Sequence, residues 1–340
     1  MLTLILAAIL LWSGLAAEAA WAGQTLETVR ANRVVRGGVG EDLPGFSQKN
    51  KAGSWQGFDI DFCRALAAAV LGHPDQVSFV PVTYANRFPV LLSGKIDVLL
   101  HTTTYTFKRE AAIGVHFAGV MYYDGQAFLV PKKSGLRQPA DLNGATICVG
   151  KRTTHGENLA EYFEARGWTY KPLAFESLPE MTAAFFGGRC QALTLDRSQL
   201  AAVRAMAPGG ASEYDLLPET ISKEPLGPVV RRGDDEWLSL VKWVLYALIE
   251  AEERGVTQAN ARTLLAITPD PALRTFLASD GLSEKSLGIA PGWVVRVIEA
   301  VGNYGEIFER HFGSQSGLNL ERGPNRLWTQ GGLMYAPPFR

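Results

Sequence analysis

Two stretches of this chain lie over one another: "LLSGKIDVLLHT", residues 91–102, and "FFGGRCQALTLD", residues 185–196. Each leaves a helix-patterned segment, turns at glycine followed by a basic residue, and enters a short apolar run ending on a polar side chain. The correspondence extends upstream. "VSFVPV", "ANRFPVLLSGK" and "IDVLL" read as strand, helix and strand, and so do "YKPLAFE", "LPEMTAAFFGGR" and "CQALTL". Strands and helices alternating in this way predict an α/β fold, and the repeat predicts two lobes of similar plan, each on a largely parallel sheet. Thr102 and Asp196 then fall at matched positions, just past the C-terminal end of one strand in each lobe. Open α/β sheets bind their ligands there.

The rest of the chain fits around these units. Its 340 residues suffice for about two domains of roughly 150 residues. "GFDIDFCRALAAAVLG" predicts a helix with Asp59 and Asp61 in its first turn, where carboxylates favour the positive end of the dipole, and Gly72 as its stop. "DGQAFLVPKKSG" and "ISKEPLGPVVRRGDD" each join an apolar extended run to a charged exit and read as crossings between lobes, near 125–133 and 221–233. Lobe 2 is then an insertion, 129–226, between the two parts of lobe 1, 23–128 and 227–340. Beyond residue 234, "EWLSLVKWVLYALIEAEERG" and "GWVVRVIEAVGNYGEIFERHFG" carry apolar residues at helical spacing and predict a helical extension of lobe 1.

The chain opens with "MLTLILAAILLWSGLAAEAAWA", apolar to Ala17 and ending in an A-x-A pattern at Ala20, Trp21 and Ala22. This reads as a secretory signal peptide over 1–22, although no Lys or Arg precedes the apolar core. An uncleaved anchor is the alternative, but the run is short for a membrane span. A net charge of −1 gives no pull toward nucleic acid or an anionic membrane. Export makes one disulfide plausible among Cys63, Cys148 and Cys190, and the residue types alone leave the pairing open. The five histidines show no metal-ligand spacing. No phosphate-binding glycine loop and no G-x-S-x-G elbow occurs, so neither metal, cofactor nor catalytic residue is expected.

A ligand site is easier to build. Arg109 follows Thr102, Thr103, Thr104 and Thr106, and a guanidinium fork flanked by hydroxyls matches a carboxylate. Thr153 and Thr154 open a helix in "GKRTTHGENLAEYF", where free N–H groups also suit an anion. Asp196 supplies the opposite charge. Taken singly, Arg109 is as readily a surface charge, Thr153 an N-cap and Asp196 a turn residue. Placed together at matched strand ends, they complement an α-amino acid.

At these residues the sequence resembles the periplasmic solute-binding proteins of ABC transporters for polar amino acids, and within them the general L-amino-acid-binding group. The resemblance runs through "GFDIDFCRALAAAV", "FAGVMYYDGQAFLVPK", "ISKEPLGPVVRRGDD" and the stretch from "AVGNYGEIFERHFG" to the C-terminus. It implies two hinged lobes that close on an L-amino acid and deliver it, as a monomer, to a membrane permease. It implies that Arg109 binds the α-carboxylate with the amides of Thr104 and Thr154. The Thr104 hydroxyl, the Thr102 carbonyl and Asp196 would hold the α-ammonium. It also implies a Cys148–Cys190 disulfide, and places Glu41, Asp42 and Leu43 on the loop lining the side-chain pocket, although Glu41 and Asp42, taken singly, read first as a solvated turn.

The chain departs from that pattern in three places. Gly37 stands where a second cysteine usually faces Cys63, leaving Cys63 a free thiol. Arg152 replaces a glycine before the Thr pair, and His101 with Thr102 replaces an Arg-Asn pair. If Arg152 points into the closed cleft, it favours acidic and amide side chains over Lys and Arg. Two other functions fit the same fold: a periplasmic cyclohexadienyl dehydratase-like enzyme, with His101, Glu41 or His155 as its acid, and an amino-acid sensor reporting to a chemoreceptor.

Overall fold

A computed structural model describes residues 24–339 of the chain, so the signal-peptide segment lies outside the described residues. Two five-stranded sheets form the centres of two lobes. In lobe 1 the strands run in the order Val77–Pro81, Val35–Val39, Val98–Leu100, Val229–Arg231 and Val115–Phe117. In lobe 2 the order is Lys171–Phe175, Thr146–Gly150, Ala192–Asp196, Gln126–Pro131 and Tyr214–Leu216. The plan is the same. The first three strands of each sheet are parallel, and a fourth from beyond a crossing is inserted antiparallel.

The repeated segments supply the central parallel strands. Val98–Leu100 and Ala192–Asp196 are buried throughout, which is why they read as largely apolar runs; the one polar side chain between their end residues, Thr194, bonds through its hydroxyl to the Ala127 carbonyl. The chain passes between lobes on an antiparallel pair, Tyr122–Asp124 with Glu224–Leu226. The first crossing therefore ends earlier than its sequence implies. Gln126–Pro131, read as part of the passage, is a strand of the lobe 2 sheet, and its apolar residues face that lobe's core.

The helix Phe58–Leu71 ends at Gly72, in the left-handed conformation that favours glycine (φ 82°). Its two early carboxylates serve as more than dipole partners. Asp61 binds Arg310 and His311 of the C-terminal extension at 2.5 and 2.7 Å. Asp59 is buried beneath the Thr102 amide, and burial pushes its carboxyl up to about 8 against the pull of that amide. The extension packs the helix Trp293–Val301 along Phe58–Leu71. "GWVVRVIEAVGNYGEIFERHFG" is two helices, broken at Gly302 (φ 85°), and Asn303 with Glu306 forms a capping box for the second. Further on, the Asn325 side-chain amide accepts from the Tyr123 N–H at 2.7 Å and donates to its carbonyl at 3.0 Å, so the extension also grips a crossing strand.

Cys148 and Cys190 are joined, tying the strand Thr146–Gly150 to the entry of Ala192–Asp196. Cys63 is free and buried. Its sulfur fills the space beside Gly37, where an added Cβ would come within 2.3 Å of it.

Candidate functional site

The strand Val98–Leu100 releases the chain into a turn in which Thr102 adopts a left-handed φ of 41°. The short helix Phe107–Ile113 follows, and the Thr106 hydroxyl caps it by accepting from the Arg109 N–H at 3.2 Å. This cap anchors the base of the Arg109 side chain. The guanidinium is buried, donates to the Thr104 carbonyl at 2.7 Å and lies 5.6 Å from the Phe88 ring. Burial lowers the Arg109 pKa, opposed chiefly by the charge of Glu224.

From lobe 2, Thr153 and Thr154 open the helix Thr154–Glu164. The Thr153 hydroxyl does not face the cleft centre; it donates to the Gly150 carbonyl at 2.7 Å. The Thr154 hydroxyl does, and lies 3.2 Å from that of Thr104 in lobe 1. Both hydroxyls donate to Glu224 Oε2, at 2.5 Å from Thr104 and 2.9 Å from Thr154. Asn158 and Ser222 donate to Glu224 Oε1 at 2.5 and 2.7 Å. At the rim, Lys108 pairs with Glu157 at 2.5 Å across the lobes, and Arg152 donates to the Ala85 carbonyl at 3.2 Å. The lobes are closed on one another.

Asp196 is elsewhere occupied. Its carboxylate holds His155 Nε2 at 2.8 Å and accepts from Gln199 at 3.0 Å, with all three residues buried. Burial raises the Asp196 pKa against the pull of His155. Burial pushes the His155 imidazole down, but Asp196 with the help of Glu224 outweighs it and holds the ring above its usual value. The open cation partner expected of Asp196 is therefore half of an internal pair, because His155 sits one residue into the facing helix.

His101 points the other way. Buried, and edge-on to Tyr84 at 5.2 Å, it is driven down to about 3 by burial and by the charge of Arg87. Burial also pushes Arg87 down to about 9, and its guanidinium donates to the His101 carbonyl at 3.1 Å. A cavity of about 140 Å³ lies between the lobes, lined by Glu41, Leu43, Tyr84 and His101 from one side and by Ser177 and Leu178 from the other. Leu43 is buried, while Glu41 and Asp42 are exposed, Asp42 with a left-handed φ of 54°. Arg152 is exposed with a φ of 58°, the conformation a glycine adopts freely, and its side chain ties to lobe 1 rather than lining the cavity.

Sequence reasoning missed Glu224, Asn158, Arg87 and Tyr84. Two signals were present: Tyr84 follows a strand end just as Thr102 does, and Glu224 stands at the head of the apolar run "PLGPVV" of a crossing.

Two similar lobes on a paired crossing, closed over a buried guanidinium and hydroxyls from both sides, define a hinged two-lobe binding protein. Residues 35–259 match the bacterial extracellular solute-binding proteins, family 3. Over 318 residues the chain is 46% identical to the general L-amino acid-binding periplasmic protein AapJ of Rhizobium johnstonii, covering 93% of each. It is likewise 46% identical over 316 residues to the glutamate/glutamine/aspartate/asparagine-binding protein BztA of Rhodobacter capsulatus, again covering 93% of each. Among solved structures, an ABC transporter periplasmic binding protein from Brucella ovis with glutathione bound superimposes with a TM-score of 0.89 at 43% identity, covering 93% of this chain and 99% of that one. The chain belongs to the bacterial extracellular solute-binding proteins, family 3.

Proposed function

We propose that this protein captures L-amino acids in the periplasm and hands them, as a monomer without cofactor, to the membrane permease of an ABC transporter. The observation that carries this is the cleft centre, where the buried Arg109 guanidinium rests on a backbone carbonyl beside hydroxyls contributed by both lobes. A buried cation whose hydrogen-bond partner is a dipole is stabilised further by a carboxylate, and a single residue's α-carboxylate fits beside Thr104 and Thr154. The names of the Rhizobium and Rhodobacter relatives support the same ligand class. Leu43, Glu41 and His101 line the space for the side chain, and Arg152 ties the closed lobes at the rim. Lobe 2 begins where the chain enters its sheet at Gln126.

The candidate acids of an enzyme have other duties here. His155 is held by Asp196, and His101 is kept neutral by burial and by Arg87. The test is calorimetric titration of ligand-free protein with the twenty L-amino acids and with glutathione, whose γ-glutamyl end carries the same α-amino acid group. Turnover of prephenate and arogenate is assayed in parallel. Saturable one-to-one binding of L-amino acids without turnover is expected. Turnover, or no binding by any amino acid, would refute the proposal.

A further inference from the structure

The helical extension of lobe 1 carries a second cavity, of about 550 Å³, that shares no lining residue with the cavity between the lobes. Its volume is in the range of sites for small organic ligands. It opens between the helices Asp235–Glu253 and Pro271–Ala278 and the start of Trp293–Val301, with Pro338 and Phe339 across them. Four rings line it: Trp243, Phe276, Trp293 and Phe339. The Phe339 ring stands at 77° to Trp243, 4.9 Å away, and at 80° to Phe276, 5.0 Å away. The rings therefore form a corner and not a stack. Aromatic rings attract cations over their faces. The charged residues on the wall are Asp280 and Glu284, both acidic. Arg254 lies 5.7 Å over Phe276, but it pairs with Glu250 at 2.7 Å and is not part of the wall. Rings and carboxylates without a base suit an organic cation.

Ser279 narrows the kind of cation. It lines the cavity, is 4% exposed, and its hydroxyl has no hydrogen-bond partner. It also ends the helix Pro271–Ala278 in a left-handed conformation (φ 39°), which strains a residue with a side chain. A buried hydroxyl left unpaired is a cost that a hydrogen-bonding group brought by a ligand removes. A quaternary ammonium brings no N–H, whereas a protonated primary amine brings three. An amino acid brings the same three but adds a carboxylate, which Asp280 and Glu284 repel. We propose that this cavity binds a protonated primary amine with an aromatic or branched apolar body, a ligand distinct from the amino acid of the cleft.

The probe is 2-phenylethylamine, set against 2-phenylethanol, which keeps the ring and replaces the ammonium by a hydroxyl. Both are titrated by calorimetry into wild type, Arg109→Ala, Ser279→Ala and the double variant Asp280→Asn/Glu284→Gln. The amine should bind wild type saturably and one to one, and equally well in Arg109→Ala, because Arg109 belongs to the cleft. The alcohol should bind roughly 10- to 100-fold more weakly, the scale of a hydrogen bond to a charged group. Asp280 is exposed and Glu284 half-buried, so the double variant should fold and should shrink that preference by about two- to fivefold. Ser279→Ala should weaken the amine several-fold without lowering the Tm of the ligand-free protein, since the hydroxyl removed is unpaired. No saturable binding of the amine at millimolar concentration overturns the proposal. So does equal affinity for amine and alcohol, or an unchanged preference in the double variant. Loss of amine binding in Arg109→Ala would place the amine in the cleft and overturn it too. None of these outcomes depends on which amino acid the cleft takes.

Discussion

At the lobe 1 strand end, Arg87 donates to the His101 carbonyl and Arg109 to the Thr104 carbonyl. At the lobe 2 strand end, Asp196 is bound to His155 and Gln199. The strands beneath are superimposable in plan, yet one lobe hydrogen-bonds its buried cations to backbone dipoles, with Glu224 acting on Arg109 only through its charge, and the other pairs its buried acid directly with an imidazole. A carbonyl dipole compensates a guanidinium less than a carboxylate does, so lobe 1 has electrostatic stabilisation to gain from an anion. Lobe 2 has little to gain, and its contribution is to shut the cleft with Thr154 and Asn158. On the proposed function, the repeat thus builds two scaffolds of one kind and divides the labour between them: lobe 1 would hold the ligand and lobe 2 enclose it.

The hardest blow to this division is Arg109→Ala. Amino-acid affinity should fall by on the order of 2–5 kcal/mol, the range for truncating one side of a buried, hydrogen-bonded charge pair. The ligand-free protein should not lose comparable stability, because the cation removed is one that burial disfavours. Calorimetry and thermal unfolding of the same sample check both. Affinity preserved within a few-fold would remove Arg109 from the site.

Next in size is the staple that only lobe 2 carries. The Cys148–Cys190 bond closes a span of 42 residues, and its loss in Cys148→Ser/Cys190→Ser should cost about 2–4 kcal/mol of stability. Hydrogen exchange should show the loss concentrated in the lobe 2 sheet, with lobe 1 protection retained. Thiol counting under non-reducing conditions should find one free cysteine, Cys63. A bridge to Cys63, or uniform loss of protection in both lobes, contradicts the picture.

A third comparison uses one imidazole from each lobe. His101 is pushed down to about 3 by burial and the Arg87 charge, while His155 is held above its usual value by Asp196 despite burial. An unfolded histidine titrates near 6.5. The neutral, buried His101 therefore contributes stability that is present above about pH 6.5 and lost as pH falls toward 3. The His155 contribution runs oppositely: full below about pH 6.5 and lost as pH rises through its folded value. His101→Gln should blunt acid sensitivity, and His155→Gln should blunt the decline on the alkaline side. Following both rings by NMR gives the direct check: if both stay neutral at pH 6, the electrostatic contrast between lobes fails.

How much of this the sequence shows depends on whether a feature is written locally. Burial on both faces favours apolar residues, so Val98–Leu100 and Ala192–Asp196 were legible as strands, and the polar residues Thr102 and Asp196 past or at their ends were read as facing a ligand. The same signal misled at Gln126–Pro131, because a buried antiparallel strand and an apolar hinge run look alike until their neighbours are known. Asp196 was found and its pairing was not, since His155 lies 41 residues away and their contact exists only in the folded lobe. Glu224 was hidden for a related reason. An acid beside Lys223 at the polar edge of a crossing reads as exposed punctuation, and only the closed lobes reveal four donors converging on it.

The smallest effect belongs to Arg152. In sequence it promised a cation in the cleft and a bias toward acidic ligands. In the folded protein its side chain reaches the Ala85 carbonyl at the exposed rim, 3.2 Å away across the lobe boundary. Its backbone sits at φ 58°, where a side chain carries strain and glycine does not. Arg152→Gly should therefore relieve strain of about 1 kcal/mol while removing one exposed cross-lobe hydrogen bond of similar or smaller worth. Net stability should change by less than about 1 kcal/mol, and affinity for every ligand should weaken by the same small factor as closure loosens. The ratio of Lys to Glu in competition against a neutral amino acid should be unchanged, because a charge at the solvent-exposed rim is screened from a ligand in the interior. A shift of that ratio toward Lys in Arg152→Gly would mean the guanidinium reaches the ligand after all, and that lobe 2 contributes charge to recognition as well as enclosure.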